Sequence, residues 1–329
     1  MSDKNTAKFC LEALKKAGAQ KAQCLLAKSA KHELNVEAGK ISLLRTTFNT
    51  EIRLAAIQDK RRGATTLNGD GRSAIEKAAK DAVEFTQASP QDESYDISEN
   101  QPSQSFDNGL VAPDTGKMFE RLEEYLLQSK RLYPKTIQEQ SILDFTRTTE
   151  HFLNSNGVEF ESSQGVYNFQ PMFTTKDGKK SSSFNYSFAS LKTLEKDLLS
   201  CSSINTLLKQ SAEQLDTKSV SGKFTGDIIV TPDCLGDFLG FITDMAIRDG
   251  MLIAGTSVYK DKLGQQIAST GLTVHSRPVS DEMAWGYFAT PDGYKAENLT
   301  IIDKGTLKTF ILSLYGARKT GLKRVSNNG

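Results

Sequence analysis

Histidine is scarce in this 329-residue chain, with His32, His151 and His275 the only three. A structural or catalytic zinc site draws on three or four convergent ligands, a set this inventory barely supplies. His32-Glu33 opens like an HExxH motif, but Val36 and Glu37 stand where the second histidine would fall. Isolated histidines in strand patterns read as satisfied or surface residues. Cysteine is also sparse: Cys10, Cys24, Cys201 and Cys234 form no CxxC pair, which suits a reducing compartment. Cys234 sits best for nucleophilic chemistry, at an expected helix N-terminus whose dipole lowers a thiol pKa. The preferred reading is nevertheless a small buried hydrophobe, the usual fate of a free cysteine.

Three further absences narrow the class. No apolar run approaches the ~18 residues of a membrane span, and residues 1–19 read as an amphipathic helix rather than a signal core. Both point to a cytoplasmic protein that does not engage membranes. Charge of one sign is missing as well: 41 basic residues face 40 acidic ones, a net charge of +1. A dedicated nucleic-acid binder would carry a basic excess, so no direct nucleic-acid binding is expected. Finally, the chain has no GxxxxGK[ST], GxGxxG or GxSxG.

What is present is an alternation of helical and strand patterns in three segments. Residues 1–88 read as a helix ending at Gly18, strands at 24–30, 33–37, 40–46 and 50–57, a tight turn at 59–63, a strand at 63–67 and a helix from 72 to 88. Residues 89–115 hold Pro90, Pro102 and Pro113 and no lysine or arginine, the composition of a linker. Residues 116–218 repeat the first plan. A helix over 116–132 leads to strands at 137–149, 150–155, 158–176 and 180–188, with hairpin signals at Asn156-Gly157 and Asp177-Gly178, and a closing helix over 190–211. Residues 219–329 begin with a buried strand at 226–231. Pro232 opens a helix over about 233–248 with Leu235, Phe238, Leu239, Ile242, Met245 and Ala246 on its apolar face, and β-rich sequence with a last helix over about 312–320 follows. The expected architecture is α+β: two helix–antiparallel-sheet–helix units and a β-rich C-terminal domain.

Four pieces in order give this plan a relative. They are GlyLysIleSer at 39–42 with ArgArgGly at 61–63 and ThrLeuAsn at 66–68; LeuAsnSerAsnGly at 153–157; GlyThrSer at 255–257 running into LysLeuGlyGlnGlnIleAlaSer at 262–269; and IleIleAspLysGlyThrLeuLysThrPhe at 301–310. The ordered set resembles the TldD/PmbA family, also called modulators of DNA gyrase, and most closely its PmbA (TldE) branch. In the TldD branch an HExxxH helix before the GlyThrSer-type loop binds the catalytic zinc. Counting back from Gly255 puts Gly240, Phe241 and Met245 at those three positions.

The resemblance therefore implies a metal-free subunit with no catalytic, cofactor or metal residues of its own. Its partner would be a TldD-type subunit that carries the zinc. The substrate would be an unfolded peptide, such as a microcin precursor or an antitoxin, held by adding backbone to a sheet edge. Thr256 and Ser257, in the matched loop, are the expected peptide contacts, because they present hydroxyls and backbone amides. Two departures accompany the resemblance. PheAlaThrProAspGly at 288–293 lacks the first acid of the family's FD-x-EG stretch, and the third domain reads as shortened, stopping before the family's Gly-rich continuation. The alternatives are a stand-alone peptide-binding module and a cysteine-dependent hydrolase using Cys234.

Overall fold

A computed structural model of the chain describes residues 2–325 and 327. The helix α1 (Asp3–Lys16) starts where the Ser2 side chain accepts from the Asn5 amide, with Asp3 in its first turn and Lys15 and Lys16 in its last. It leads into a long hairpin, β1 (Lys21–Glu37) and β2 (Lys40–Gln58), and then β3 (Arg61–Asn68). Two-residue turns join these strands, Ala38-Gly39 and Asp59-Lys60, and all four residues take positive φ, the geometry that matches strand twist. The short strands expected from sequence are thus halves of longer ones. Lys28 to His32 and Thr46 to Thr50 stay in register across the hairpin although their pattern does not alternate cleanly.

After α2 (Arg72–Ala88), the stretch read as a linker contains β4 (Gln104–Gly109), which pairs parallel with β6. Then come α3 (Thr115–Leu132), capped by Asp114, and the hairpin β5 (Thr136–Asn154) and β6 (Glu159–Asp177). Three short strands, β7 (Lys180–Ser181), β8 (Asn185–Tyr186) and β9 (Ala189–Leu191), fold back on β6. The helix expected over 190–211 is mostly absent. Asp197 caps a single tight turn at Leu198–Ser200, and Ser202 has φ +50, which no right-handed helix accommodates, so α4 spans only Ile204–Glu213.

The two helix–sheet units share one sheet, ordered β3-β2-β1-β5-β6-β4. Its helix-covered face carries two cores. Cys10, Leu14, Ile75 and Ala79 of α1 and α2 pack on Leu26, Ile52 and Leu54. Met118, Leu122 and Tyr125 of α3, with Ile204 and Leu208 of α4, pack on Leu34, Leu143, Phe145 and Phe169. Gly63 fixes how closely α2 approaches: a Cβ there would stand 2.0 Å from the Ala82 carbonyl oxygen.

The C-terminal region has its own core of Ile247, Leu252, Ile301, Leu307, Phe310 and Leu312. It contains α5 (Pro232–Ala246), α6 (Asp249–Ile253), the small sheet β10 (Val274–Ser276), β11 (Leu299–Asp303) and β12 (Thr306–Leu307), and α7 (Leu314–Thr320). The buried strand expected at 226–231 does not form: Ile228 is 84% and Ile229 90% exposed. A strand needs a neighbour for its amides and carbonyls, and none of the described residues pairs with this one. The helix after it forms as expected, but Leu235, Phe238, Phe241 and Met245 are exposed, and Ala246 is its buried residue. No helix among the described residues is long and apolar enough to cross a membrane.

Candidate functional site

Successive side chains of a strand alternate faces, so the residues between those of the helix-covered core point to the opposite side. On β1, β5 and β6 they form rows set by register. Leu25 stands beside Phe152 and Phe160, Ala27 beside Glu150 and Ser162, and Ser29 beside Thr148 and Gln164. Arg53 and Glu51 of β2 continue the first two rows.

The C-terminal region hangs a segment across these rows. Lys192 Nζ donates to the Asp281 carbonyl at 2.6 Å, Gln164 Nε2 to Ala284 O at 3.3 Å, Gln23 Nε2 to Pro291 O at 3.0 Å, and Gln101 Nε2 to Gly293 O at 2.7 Å. Phe106 of β4 stacks on Phe288 with centroids 5.0 Å apart. Between segment and sheet lie two adjoining hollows of about 210 and 140 Å³ that share Glu150, Ser162 and Tyr287. The larger is walled by Leu25, Phe152, Phe160 and Ala289, with Arg53 at one side; the smaller by Thr148, Gln164 and Trp285. Together they form one groove, the candidate site.

The charges in the groove are unevenly satisfied. Arg53 Nε donates to Glu51 at 2.5 Å. Among the described residues, Glu150 accepts only a long hydrogen bond from the Ser162 hydroxyl, 3.4 Å. Burial pushes its carboxyl above the usual range, and Ser162 and Arg53 offset this only in part. The other carboxylates of this face are different. Glu33 is paired with Lys31 at 2.6 Å and Arg45 at 2.8 Å and accepts from Asn35; Asp144 accepts from Thr146 and Asn168. Burial raises the Glu33 carboxyl, but Lys31, Asn35 and Arg45 outweigh it and hold it below its ordinary value. That cluster is a closed network.

A neighbouring hollow of about 310 Å³ is lined by Tyr95, Asp96, Asp292, Ser313 and Tyr315. Around it the residues 92–99 are tied to the C-terminal region. Asp92 accepts from Tyr315 Oη at 2.8 Å and Lys319 Nζ at 2.9 Å, Asp96 from Lys21 and Arg318, and Glu99 from Tyr294 Oη at 2.6 Å.

The expected contacts Thr256 and Ser257 lie elsewhere. The Ser257 hydroxyl is buried, donating to the Ala246 carbonyl and accepting from the Tyr259 amide, and Thr256 Oγ1 lies 3.3 Å from Met251 Sδ. Cys234 is exposed on α5; Cys10, Cys24 and Cys201 are buried. Gly240, Phe241 and Met245 also lie on α5. Glycine and phenylalanine side chains offer no donor atom and a thioether is a poor zinc ligand, so these positions do not fit a zinc ion. Among the described residues no group of three or more His, Cys, Asp or Glu is placed to hold a metal. Sequence reading passed over Glu150, Phe152 and Phe160; their shared parity on β5 and β6 was the available signal, hidden by dividing β5 at Glu150.

Residues 221–329 match the family described as the PmbA/TldA metallopeptidase C-terminal domain. Metalloprotease PmbA of Escherichia coli O157:H7 is 37% identical over 86 residues, covering 23% of this chain and 18% of that protein. TldE from Thermococcus kodakarensis has the same fold, with a TM-score of 0.75 at 15% identity over 98% of this chain and 73% of that one. A Bacteroides thetaiotaomicron protein described as a candidate modulator of DNA gyrase gives 0.77 at 20% identity, over 98% and 75%. These findings support a TldD/PmbA family assignment, by the family model over residues 221–329 and by the fold over nearly the whole chain. In the alignments with curated metalloproteases, the chain spans less than a quarter of their length. The groove therefore lies between the region that matches this family and the shared sheet.

Proposed function

We propose that this chain is a metal-free, PmbA/TldE-like subunit of a cytoplasmic TldD–TldE-type metallopeptidase acting on unfolded peptides. In this reading the zinc and the bond-breaking groups belong to a TldD-type partner, and this chain holds the peptide. The observation that carries the reading is the chemistry of α5. Within the segment matching a metallopeptidase domain, Gly240, Phe241 and Met245 stand where the TldD resemblance calls for HExxxH. The groove is the place for the peptide, because it is walled by aromatic side chains and floored by strand rows that an extended chain can follow.

The test is a peptidase assay on an unfolded peptide, with zinc measured, for this chain alone and mixed with a TldD-type protein. Cleavage in the mixture only, with zinc travelling with the partner, is the expected result. Stoichiometric zinc and chelator-sensitive cleavage from this chain alone would overturn the proposal. A second reading is a stand-alone peptide-binding module that uses the same groove. It gains if peptide binds here and no TldD-type protein alters the affinity.

A further inference from the structure

We infer that the groove is a subsite for one basic side chain, lysine or arginine, of an extended peptide, with Glu150 as its counter-charge. This inference rests on the peptide-holding reading above and gives that site a side-chain preference.

The argument starts from charge. A carboxylate removed from water is unfavourable unless paired or hydrogen-bonded. The acids elsewhere on this face and in the neighbouring hollow meet this demand: Glu33 has Lys31 and Arg45, Asp92 has Lys319, and Asp96 has Lys21 and Arg318. Among the described residues Glu150 has only the 3.4 Å bond from Ser162, while Arg53, the cation that lines the same hollow, is bonded to Glu51. Counting Glu51, Arg53 and Glu150 as ionised leaves the groove with one uncompensated negative charge. The raised carboxyl of Glu150 expresses the same deficit. An incoming cation would remove it.

Shape then selects which cation. Phe152, Phe160 and Leu25 form an apolar row immediately next to Glu150, and Tyr287 overhangs both. Lysine and arginine match such a row, because they lay an apolar stem on hydrophobic surface and keep the charge at its end. Aromatic faces add attraction for that charge. Space is available: the two hollows are each roughly ten times or more the ~10–15 Å³ that one water needs. Ala27, opposite Glu150 on β1, keeps that side of the carboxylate open.

The chain carries its own reporter, since its single tryptophan, Trp285, lines the groove. The experiment titrates the full chain with acetylated, amidated Gly-Ser peptides free of aromatics, each with one central lysine, arginine, norleucine or glutamate, and follows Trp285 fluorescence. The lysine and arginine peptides should bind at least tenfold more tightly than norleucine, and glutamate weakest. Glu150→Gln, nearly isosteric, should erase the preference, and Glu150→Lys should turn it toward glutamate. A peptide with a free N-terminus and no basic side chain should bind like norleucine. If all peptides bind alike, the basic subsite is wrong and the peptide-holding role stands. If none binds, by fluorescence or by calorimetry, both are wrong.

Discussion

Glu33 and Glu150 stand on the same face of the same sheet, yet their surroundings drive them in opposite directions. Glu33 is held below its ordinary range by Lys31, Asn35 and Arg45 despite burial. Its contribution to stability is present above the unfolded-state pKa and is lost as pH falls through the lower folded one. Truncating it leaves Lys31 and Arg45 without their carboxylate. A fully buried pair loses about 3–5 kcal/mol when one partner is removed. Arg45 is half exposed, so Glu33→Ala should cost about 2–3 kcal/mol in denaturant melts. Glu150 is the reverse case. Burial raises its carboxyl, so the charged form weighs against folding at neutral pH, and the burden lifts as pH falls through the raised folded value. Glu150→Gln should therefore melt higher than the parent at neutral pH. The gap should close on acidification; a gap that widens in acid would contradict the assigned surroundings.

At the scale of elements, the apolar periodicities that place α1, α2 and α3 in the sequence are the ones that bury Leu14, Ile75 and Leu122, so these helices were legible. Strand length was not. The middle of β1 and β2 shows a largely polar face, and pairing with neighbouring strands keeps residues such as Lys31 and Asn49 extended. The 226–231 run was misread because hydrophobicity reports burial in some context, and strand formation needs a hydrogen-bonding neighbour. Residues 89–115 looked like a linker because composition carries no information about β4 joining β6 six residues deep. The groove was the least legible part, since it forms only when β5 and β6 meet residues 284–291. Gly63 shows how tightly one element constrains another. Its missing side chain lets α2 lie against β3, with Ala82 O and Thr86 N in the space of a Cβ. Gly63→Ala should cost about 1–3 kcal/mol through displacement of α2, measured by denaturant unfolding. An unchanged midpoint would mean that the helix has room to move.

At the scale of the whole molecule, the C-terminal region is joined to the sheet by polar ties at both ends of the groove, and one set is sensitive to acid. Asp92 is held far below the usual carboxylate range, first by the Ser94 amide, then by Lys319 and Tyr315. Tyr315, in turn, is pushed up to about 12 by burial and by Asp92. A depressed carboxyl contributes stability above its unfolded pKa and loses it as pH falls through the folded one. The tie therefore persists through mildly acidic conditions and opens only in strong acid. Removing the charge should imitate that opening at neutral pH. Asp92→Asn keeps the shape but weakens the bonds from Lys319 and Tyr315, so amide exchange should speed up in α7 while β1, β2 and β3, held by their own helix-packed core, stay protected. Because Tyr95 stacks on Tyr315 at 5.0 Å, Tyr315→Phe should keep the ring contact and produce a smaller effect than Asp92→Asn. Equal acceleration in α7 and in the sheet would instead mean that the two regions unfold together, and that Asp92 supports the whole molecule rather than one tie within it.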